Sequence, residues 1–316
     1  MFYLLPVLVS FLFVLILVPG LRAIAFRIGF VDRPGERKIH ATPIPLLGGI
    51  ALYIASLTAM ILFTRGSALV LTVGTGGTVL MLMGLFDDWF KTKGKDFPVW
   101  PRLIIYLIVS AIPVFFGIEI IGVSKLEMGT GMVLFPAWIS WLSTMAWVFG
   151  ITNMVNFIDG LDGLASGIVT ISSLTLLITA LLMQQTEPAV LAGSLAGACL
   201  AFLFFNFHPA RIFMGDAGAI YLGYTLAVIS IDGAFKSATV ISIFVPVLAL
   251  GVPILDTVIV FARRFIQKKG LHKADKLHTH HCLMAWGLTQ TQSVSFLYLV
   301  SAVFSLVSIV LLLAFQ

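Results

Sequence analysis

Apolar residues in this chain do not alternate with polar ones at the period of an amphipathic helix or a half-buried strand. They run on for nearly twenty positions at a time, and short polar stretches separate the runs. A helix crosses hydrocarbon in about 20 residues, and runs of that length fall at roughly 3–21, 46–64, 67–86, 101–118, 136–152, 163–183, 188–206, 217–231, 238–262 and 290–314. Several contain Gly or Pro, which membrane helices tolerate where neighbours satisfy the freed backbone. The pattern predicts an all-α polytopic membrane protein with about ten transmembrane helices, forming one domain over 1–316. The first run has no basic region before it, so it reads as a span and not as a cleaved signal peptide. The segment 118–134, with Gly122, Gly129 and Gly131 among alternating apolar residues, can form a short extracytoplasmic β-hairpin.

Composition agrees with this reading. Only 10% of residues are charged and 59% are apolar, whereas a soluble domain is about 25% charged. That excludes a soluble globular enzyme, a disordered chain and a nucleic-acid binder. Cys199 and Cys282 lie in different environments, and no disulfide framework is implied. The charges report orientation. Ten spans put both termini on one side and divide the loops into two sets. One set carries 16 of the 19 Lys and Arg residues and the other carries Arg65, Lys125 and Lys236. By the positive-inside rule the five charged loops are cytoplasmic and both termini extracytoplasmic. Most of the acids, and His40, His208, His272, His278, His280 and His281, fall on that same face. The positive-inside rule makes no demand for acids, so their concentration there needs another cause.

Five clusters can carry chemistry. Asp87 and Asp88 sit side by side where a helix meets the cytoplasm. They are either a solvated helix end or a pair held together by a cation, and two anions at a helix C-terminus oppose the macrodipole. Asn153, Asn156, Asp159 and Asp162 recur at intervals of three, with Gly160 and Gly163 among them, and no basic residue intervenes. That suits a metal, or the hydroxyls of a base and sugar. In the stretch Asn206 to Gly218, Asp216 either caps a helix or serves a site, and Phe213 is either a lipid-facing ring or a stacking platform. His278, His280 and His281 follow Lys273 and Lys276. Zinc is conceivable there, but the cationic flanks favour an anion-binding cluster. Lys38 and His40, in the loop before Pro43, add further cations ahead of a helix start. Acids that want a divalent cation, beside loops that want an anion, describe a site for a nucleoside diphosphate with magnesium.

Asp87-Asp88, Asn153-x-x-Asn156-x-x-Asp159-Gly-x-Asp162-Gly, Phe213-Met-Gly-Asp216 and His278-x-His280-His281 occur in this order, each at an inner loop. This resembles the polyprenyl-phosphate N-acetylhexosamine-1-phosphate transferase superfamily, over Asp32 to His281. The resemblance implies an enzyme of the bacterial inner (plasma) membrane with a cytoplasmic-face active site, often a homodimer. Such an enzyme uses Mg²⁺, with Mn²⁺ a candidate substitute, to move a sugar-1-phosphate from a UDP-sugar to undecaprenyl phosphate, releasing UMP. The product serves a cell-envelope glycan, teichoic acid or lipopolysaccharide among them.

Carried over residue by residue, the resemblance makes Asp87 and Asp88 catalytic, and Asp216, Asn156 and Asp88 metal ligands. It places Asn153, Asp159, Asp162, Asn206 and Phe213 at the nucleotide sugar, together with Lys38 and His40, and His278, His280 and His281 at the diphosphate. After the acidic pair the superfamily often has a Lys and then a Gln one turn on; here the corresponding stretch is taken as Arg102 to Tyr106, which makes Arg102 a lipid-phosphate residue. The His-x-His-His pattern resembles the undecaprenyl-phosphate GlcNAc-1-phosphate transferase branch more than the muramyl-pentapeptide branch, which typically has three consecutive histidines. A secondary transporter would instead place its ionisable groups at the bilayer midplane; here only Asp256 falls within a run.

Overall fold

The computed structural model describes residues 3–34, 42–95, 97–124, 132–235, 241–266 and 278–314. Lys38 and His40 lie outside them. Thirteen α-helices in the described residues carry the fold: α1 (Leu4–Ile28), α2 (Gly48–Thr64), α3 (Ala68–Thr92), α4 (Val99–Ser110), α5 (Ile112–Phe115), α6 (Ala137–Ile158), α7 (Leu164–Leu182), α8 (Thr186–Asn206), α9 (Gly215–Ser230), α10 (Ile241–Ala249), α11 (Gly251–Ile266), α12 (Thr279–Ala285) and α13 (Gln290–Ala314). A π-helical turn, Ile231–Phe235, extends α9. Five helices, α1, α3, α7, α8 and α13, are long and apolar enough to cross a membrane. The chain is an all-α, multi-pass membrane protein.

Helices that are apolar all round belong in an interior, and α8 and α9 occupy it. Nearly every residue from Pro188 to Phe202 is buried, as is every residue from Ala217 to Ser230. Around them α1 and α13 bury one stripe and expose Leu8, Leu12 and Ile16, or Leu299, Leu306 and Val310, as lipid-facing helices do. Small residues let the inner helices approach closely. A Cβ on Gly84 of α3 would collide with the backbone of Ala217 on α9, so the ends of α3 and α9 lock together at the point where both carry acids.

The run expected as one span over 238–262 is two helices, broken at Leu250. The cause is Pro253, which has no N–H for the carbonyl of Ala249. Ser172 of α7 donates its hydroxyl to that carbonyl instead, at 2.6 Å. The break is thereby satisfied, and α11 carries Asp256.

Two strand pairs complete the fold. β1 (Val31–Asp32) pairs antiparallel with β2 (Ile44–Pro45). Its continuation is stitched to the loop before α9: Phe213 N–H donates to Pro45 O at 2.8 Å, and Gly48 and Gly49 N–H donate to the carbonyls of Phe213 and Met214 at 3.0 Å each. β3 (Gly122–Ser124) pairs antiparallel with β4 (Met132–Leu134); the residues between them lie outside the described ones.

Candidate active site

The first N–H groups of any helix lack intrahelical partners. In α9 they belong to Asp216 and Ala217, and Asp88 of α3 accepts both, Oδ1 from Asp216 at 3.0 Å and Oδ2 from Ala217 at 3.2 Å. Asp88 is thus a buried cap supplied by another helix. Its neighbour Asp87, also buried, turns to cations: Oδ2 lies 3.1 Å from Arg102 Nη1 and 3.5 Å from Lys91 Nζ. The same two cations reach Asp216 Oδ2, at 2.7 Å from Lys91 and 3.7 Å from Arg102, and the carboxyls of Asp87 and Asp216 meet each other. Two carboxyls in contact repel unless protons or cations intervene. Here an ammonium and a guanidinium bracket them.

Asp88, Lys91 and Asp216 of this cluster border a cleft with a volume of about 850 Å³, lined also by Lys95, Asp159, Gly160, Asp162, Asn206, His208, Phe213, His281 and Gln290, with Asp32, Thr42 and Ile44 among its other walls. That is the size of a small-molecule site. Asp159, at the C-terminal end of α6, faces it half-buried; desolvation pushes its carboxyl up to about 7, Asp216 and Asp162 adding to the rise and Lys91 opposing it. Asp162 Oδ2 accepts from Ala210 N–H at 3.0 Å and pairs with His208 Nδ1 at 2.9 Å. A carboxylate can only accept, so His208 presents its Nε2 away from this pair. Asn206 holds two loops together: Oδ1 accepts from Gly163 N–H at 3.2 Å and Ser166 Oγ at 2.9 Å, and Nδ2 donates to Ile212 O at 3.0 Å.

The three histidines divide. His281 lines the cleft. His280 is buried, packed so closely on Gly160 that a Cβ there would stand 2.5 Å from its Nε2. Burial holds its imidazole down at about 3, with His281 adding to the effect, so its ring is neutral at physiological pH. His278 stacks nearly parallel on His280, with centroids 5.7 Å apart, and its Nδ1 pairs with Asp256 at 2.7 Å. The expectation of three imidazoles all facing a diphosphate is corrected: of the three, His281 is the one that borders the cleft.

The remaining expected residues divide in the same way. Asp88, Asp159, Asp162, Asn206, Phe213, Asp216 and His281 line the cleft, and Asp87 and Arg102 stand directly behind Asp216. Asn153 and Asn156 do not line it; Asn153 donates its amide to Phe149 O of its own helix at 2.7 Å, because a spacing of three drifts round a helix and only the residues beyond its C-terminus turn inward. Asn206 and Asp88 are on the site, but their polar atoms are committed to the protein. The expectation took Arg102 as the cation beside the acid pair and passed over Lys91, one turn after Asp87. The i,i+4 spacing that makes the pair was legible. His208 and Lys95 were also passed over, and for His208 no sequence signal pointed to Asp162.

Among the described residues, no three His, Cys, Asp or Glu side chains stand in an arrangement that holds a metal by themselves. Magnesium typically takes one or two carboxylates and completes its shell with water and substrate phosphate. Asp216, which lines the cleft, and Asp87 in contact behind it are two hard oxygen donors that match that requirement. The hydroxyl of Tyr106, one turn beyond Arg102 and within the field of Asp216, is buried with no hydrogen-bond partner among the described residues. It is a donor that a phosphate or a metal-bound water would satisfy.

Comparison with known proteins places this arrangement among relatives. The model of the family described as glycosyl transferase family 4 matches residues 69–234, which include the acid pair, the Asn/Asp segment and Asp216. A Bacillus subtilis (strain 168) protein named "Probable undecaprenyl-phosphate N-acetylglucosaminyl 1-phosphate transferase" is 37% identical over 308 residues, covering 96% of this chain and 83% of its own. The decaprenyl-phosphate N-acetylglucosaminephosphotransferase of Mycolicibacterium smegmatis is 32% identical, covering 88% and 74%. The phospho-N-acetylmuramoyl-pentapeptide-transferase of Caldicellulosiruptor bescii is 27% identical, covering 89% of each.

Proposed function

Because the chain belongs to glycosyl transferase family 4, we propose that it transfers N-acetylglucosamine-1-phosphate from UDP-GlcNAc to undecaprenyl phosphate, forming undecaprenyl-diphospho-GlcNAc and releasing UMP. The observation that carries this reading is the meeting of Asp87, Asp216, Lys91 and Arg102 beside a cleft large enough for a nucleotide sugar. The Bacillus subtilis and Mycolicibacterium smegmatis relatives, 37% and 32% identical, are more similar to it than the muramoyl-pentapeptide relative at 27%, which supports the sugar. We place the chain in the bacterial inner membrane with ten spans, the cleft at the cytoplasmic face and both termini outside. The distribution of Lys and Arg supports that orientation.

Asp216 and Asp87 are the side chains that would hold Mg²⁺, which supplies charge neutralisation on the diphosphate when bound. The acceptor phosphate has a second pKa near 6 and is mostly dianionic at pH 7, so it needs positioning more than it needs a base. Lys91 and Arg102 provide the positive charge to receive it. An oxygen of the lipid phosphate attacks the β-phosphorus of UDP-GlcNAc, the bond from that phosphorus to the bridging oxygen breaks, and UMP leaves with the electron pair. His208, Asp159 and Phe213 border the space left for sugar and uridine. Incubating the purified protein with undecaprenyl phosphate, magnesium and each of UDP-GlcNAc, UDP-GalNAc and UDP-MurNAc-pentapeptide tests the reading. UMP release should be fastest with UDP-GlcNAc; release with the pentapeptide substrate alone would overturn it.

A further inference from the structure

Asp256 lies inside the apolar helix α11, where an acid is costly unless it is paired, and the cleft chemistry does not use it directly. It is 4% exposed. Its two oxygens both serve the histidine segment: Oδ2 pairs with His278 Nδ1 at 2.7 Å and Oδ1 accepts from Thr279 N–H at 2.6 Å. His278 immediately precedes α12 in extended backbone conformation and makes no side-chain cap of its own. The first free N–H of that short helix is therefore held by a carboxylate from α11. This fixes α12 at one end. The packing of His280 on Gly160 fixes it against the Asn/Asp loop, and the rings of His280 and His281 touch with centroids 4.3 Å apart. The chain of contacts runs from Asp256 through His278 and His280 to His281 at the cleft.

We infer that Asp256 is a positioning residue for the transfer reaction, holding His278 as the Nδ1–H donor and seating α12 so that His281 is presented to the cleft. The inference rests on the reading of that cleft as the sugar-nucleotide site. Because a carboxylate can only accept, Asp256 fixes which ring nitrogen of His278 carries the proton, the role a carboxylate plays behind a metal-bound or catalytic histidine. Asp256 needs no contact with substrate to do this.

The test uses full-length protein in detergent with UDP-GlcNAc, undecaprenyl phosphate and magnesium. Asp256→Ala should lower kcat about tenfold to a hundredfold, by analogy with the loss of outer partners of ligating histidines, while the affinity for UMP and the melting temperature stay close to wild type. Asp256→Glu should recover part of the loss. His278→Ala and the double variant Asp256→Ala/His278→Ala should have the same rate, because both substitutions break one chain of contacts. Should Asp256→Ala fail to fold, Asp256→Asn keeps the acceptor for Thr279 while presenting hydrogens to Nδ1, and it should show the same fall in kcat. Wild-type kcat in the folded variants, multiplying losses in the double variant, or UMP affinity falling in step with kcat would each overturn the inference. Asp216→Asn separates this from the underlying reading. An inactive Asp216→Asn beside fully active Asp256 variants rejects the positioning role alone, whereas an active Asp216→Asn rejects the cleft.

Discussion

The carboxylate of Asp88 accepts the backbone N–H of Asp216 at 3.0 Å, so one acid of the adjacent pair builds the helix start that presents another acid to the cleft. The two neighbours Asp87 and Asp88 therefore do different things. Asp88 faces backbone; Asp87 faces Lys91 and Arg102.

Removing the cap should show in stability. Asp88→Ala is expected to cost about 1–2 kcal/mol, the usual range for losing a helix cap, and to lower the rate by displacing Asp216. Asp87→Ala should lower the rate with a smaller change in melting temperature. Thermal unfolding in detergent, followed by intrinsic fluorescence, distinguishes them. Equal loss of stability in the two variants would contradict the division.

The close approach of α3 to α9 sets the same geometry from the packing side. Gly84→Ala puts a methyl group into the backbone of Ala217, and overpacking of this kind costs about 1–3 kcal/mol. The variant should melt earlier and transfer more slowly, whereas alanine at Gly20, where a Cβ would meet nothing, should do neither.

Asp159 gives a signed pH dependence. Its carboxyl is pushed up to about 7 from an ordinary value of 3.8, so between those values the folded protein holds a proton that the unfolded chain has released. Stability from this group is fully present below about 4 and is lost as pH rises towards 7. Asp159→Asn removes the charge that is costly there. The variant should melt higher than wild type at pH 8 and at the same temperature as wild type at pH 4; a difference that grows towards acid would reverse the sign and refute the placement.

The proposed metal site at Asp216 and Asp87 carries an expectation of metal dependence. Excess chelator should abolish transfer, and added Mg²⁺ or Mn²⁺ should restore it. Chelation should leave the melting temperature nearly unchanged, because Lys91 and Arg102 already neutralise the acids. Undiminished transfer in chelator would remove the metal from the account.

Much of this was legible in the sequence. The apolar runs located the helices, because a chain that must satisfy its backbone in lipid has few alternatives to a helix, and ordered acids at loop boundaries located the cleft, with Asp159, Asp162, Phe213 and Asp216 all on it. What the sequence could not supply was the partner of each polar atom. Asn206 and Asp162 read as ligand groups, yet their polar atoms hold loops far apart in sequence. Asn153 and Asn156 share the spacing of Asp159 but remain on α6 away from the cleft, since helical phase, not spacing alone, decides which way a side chain turns. Asp256 appeared as a stray acid in a span because its partners lie 22 and 23 residues later.

The most direct test of the central claim is transfer of label from UDP-GlcNAc carrying ³²P at the β-phosphate into the lipid extract, by wild type and Asp216→Asn side by side with undecaprenyl phosphate and magnesium. The account predicts that wild type moves label into lipid with one UMP released per label transferred, and that Asp216→Asn, folded and equally stable, moves none. Label appearing in lipid at the same rate with both proteins, or UMP released by wild type with no label in lipid, would contradict it.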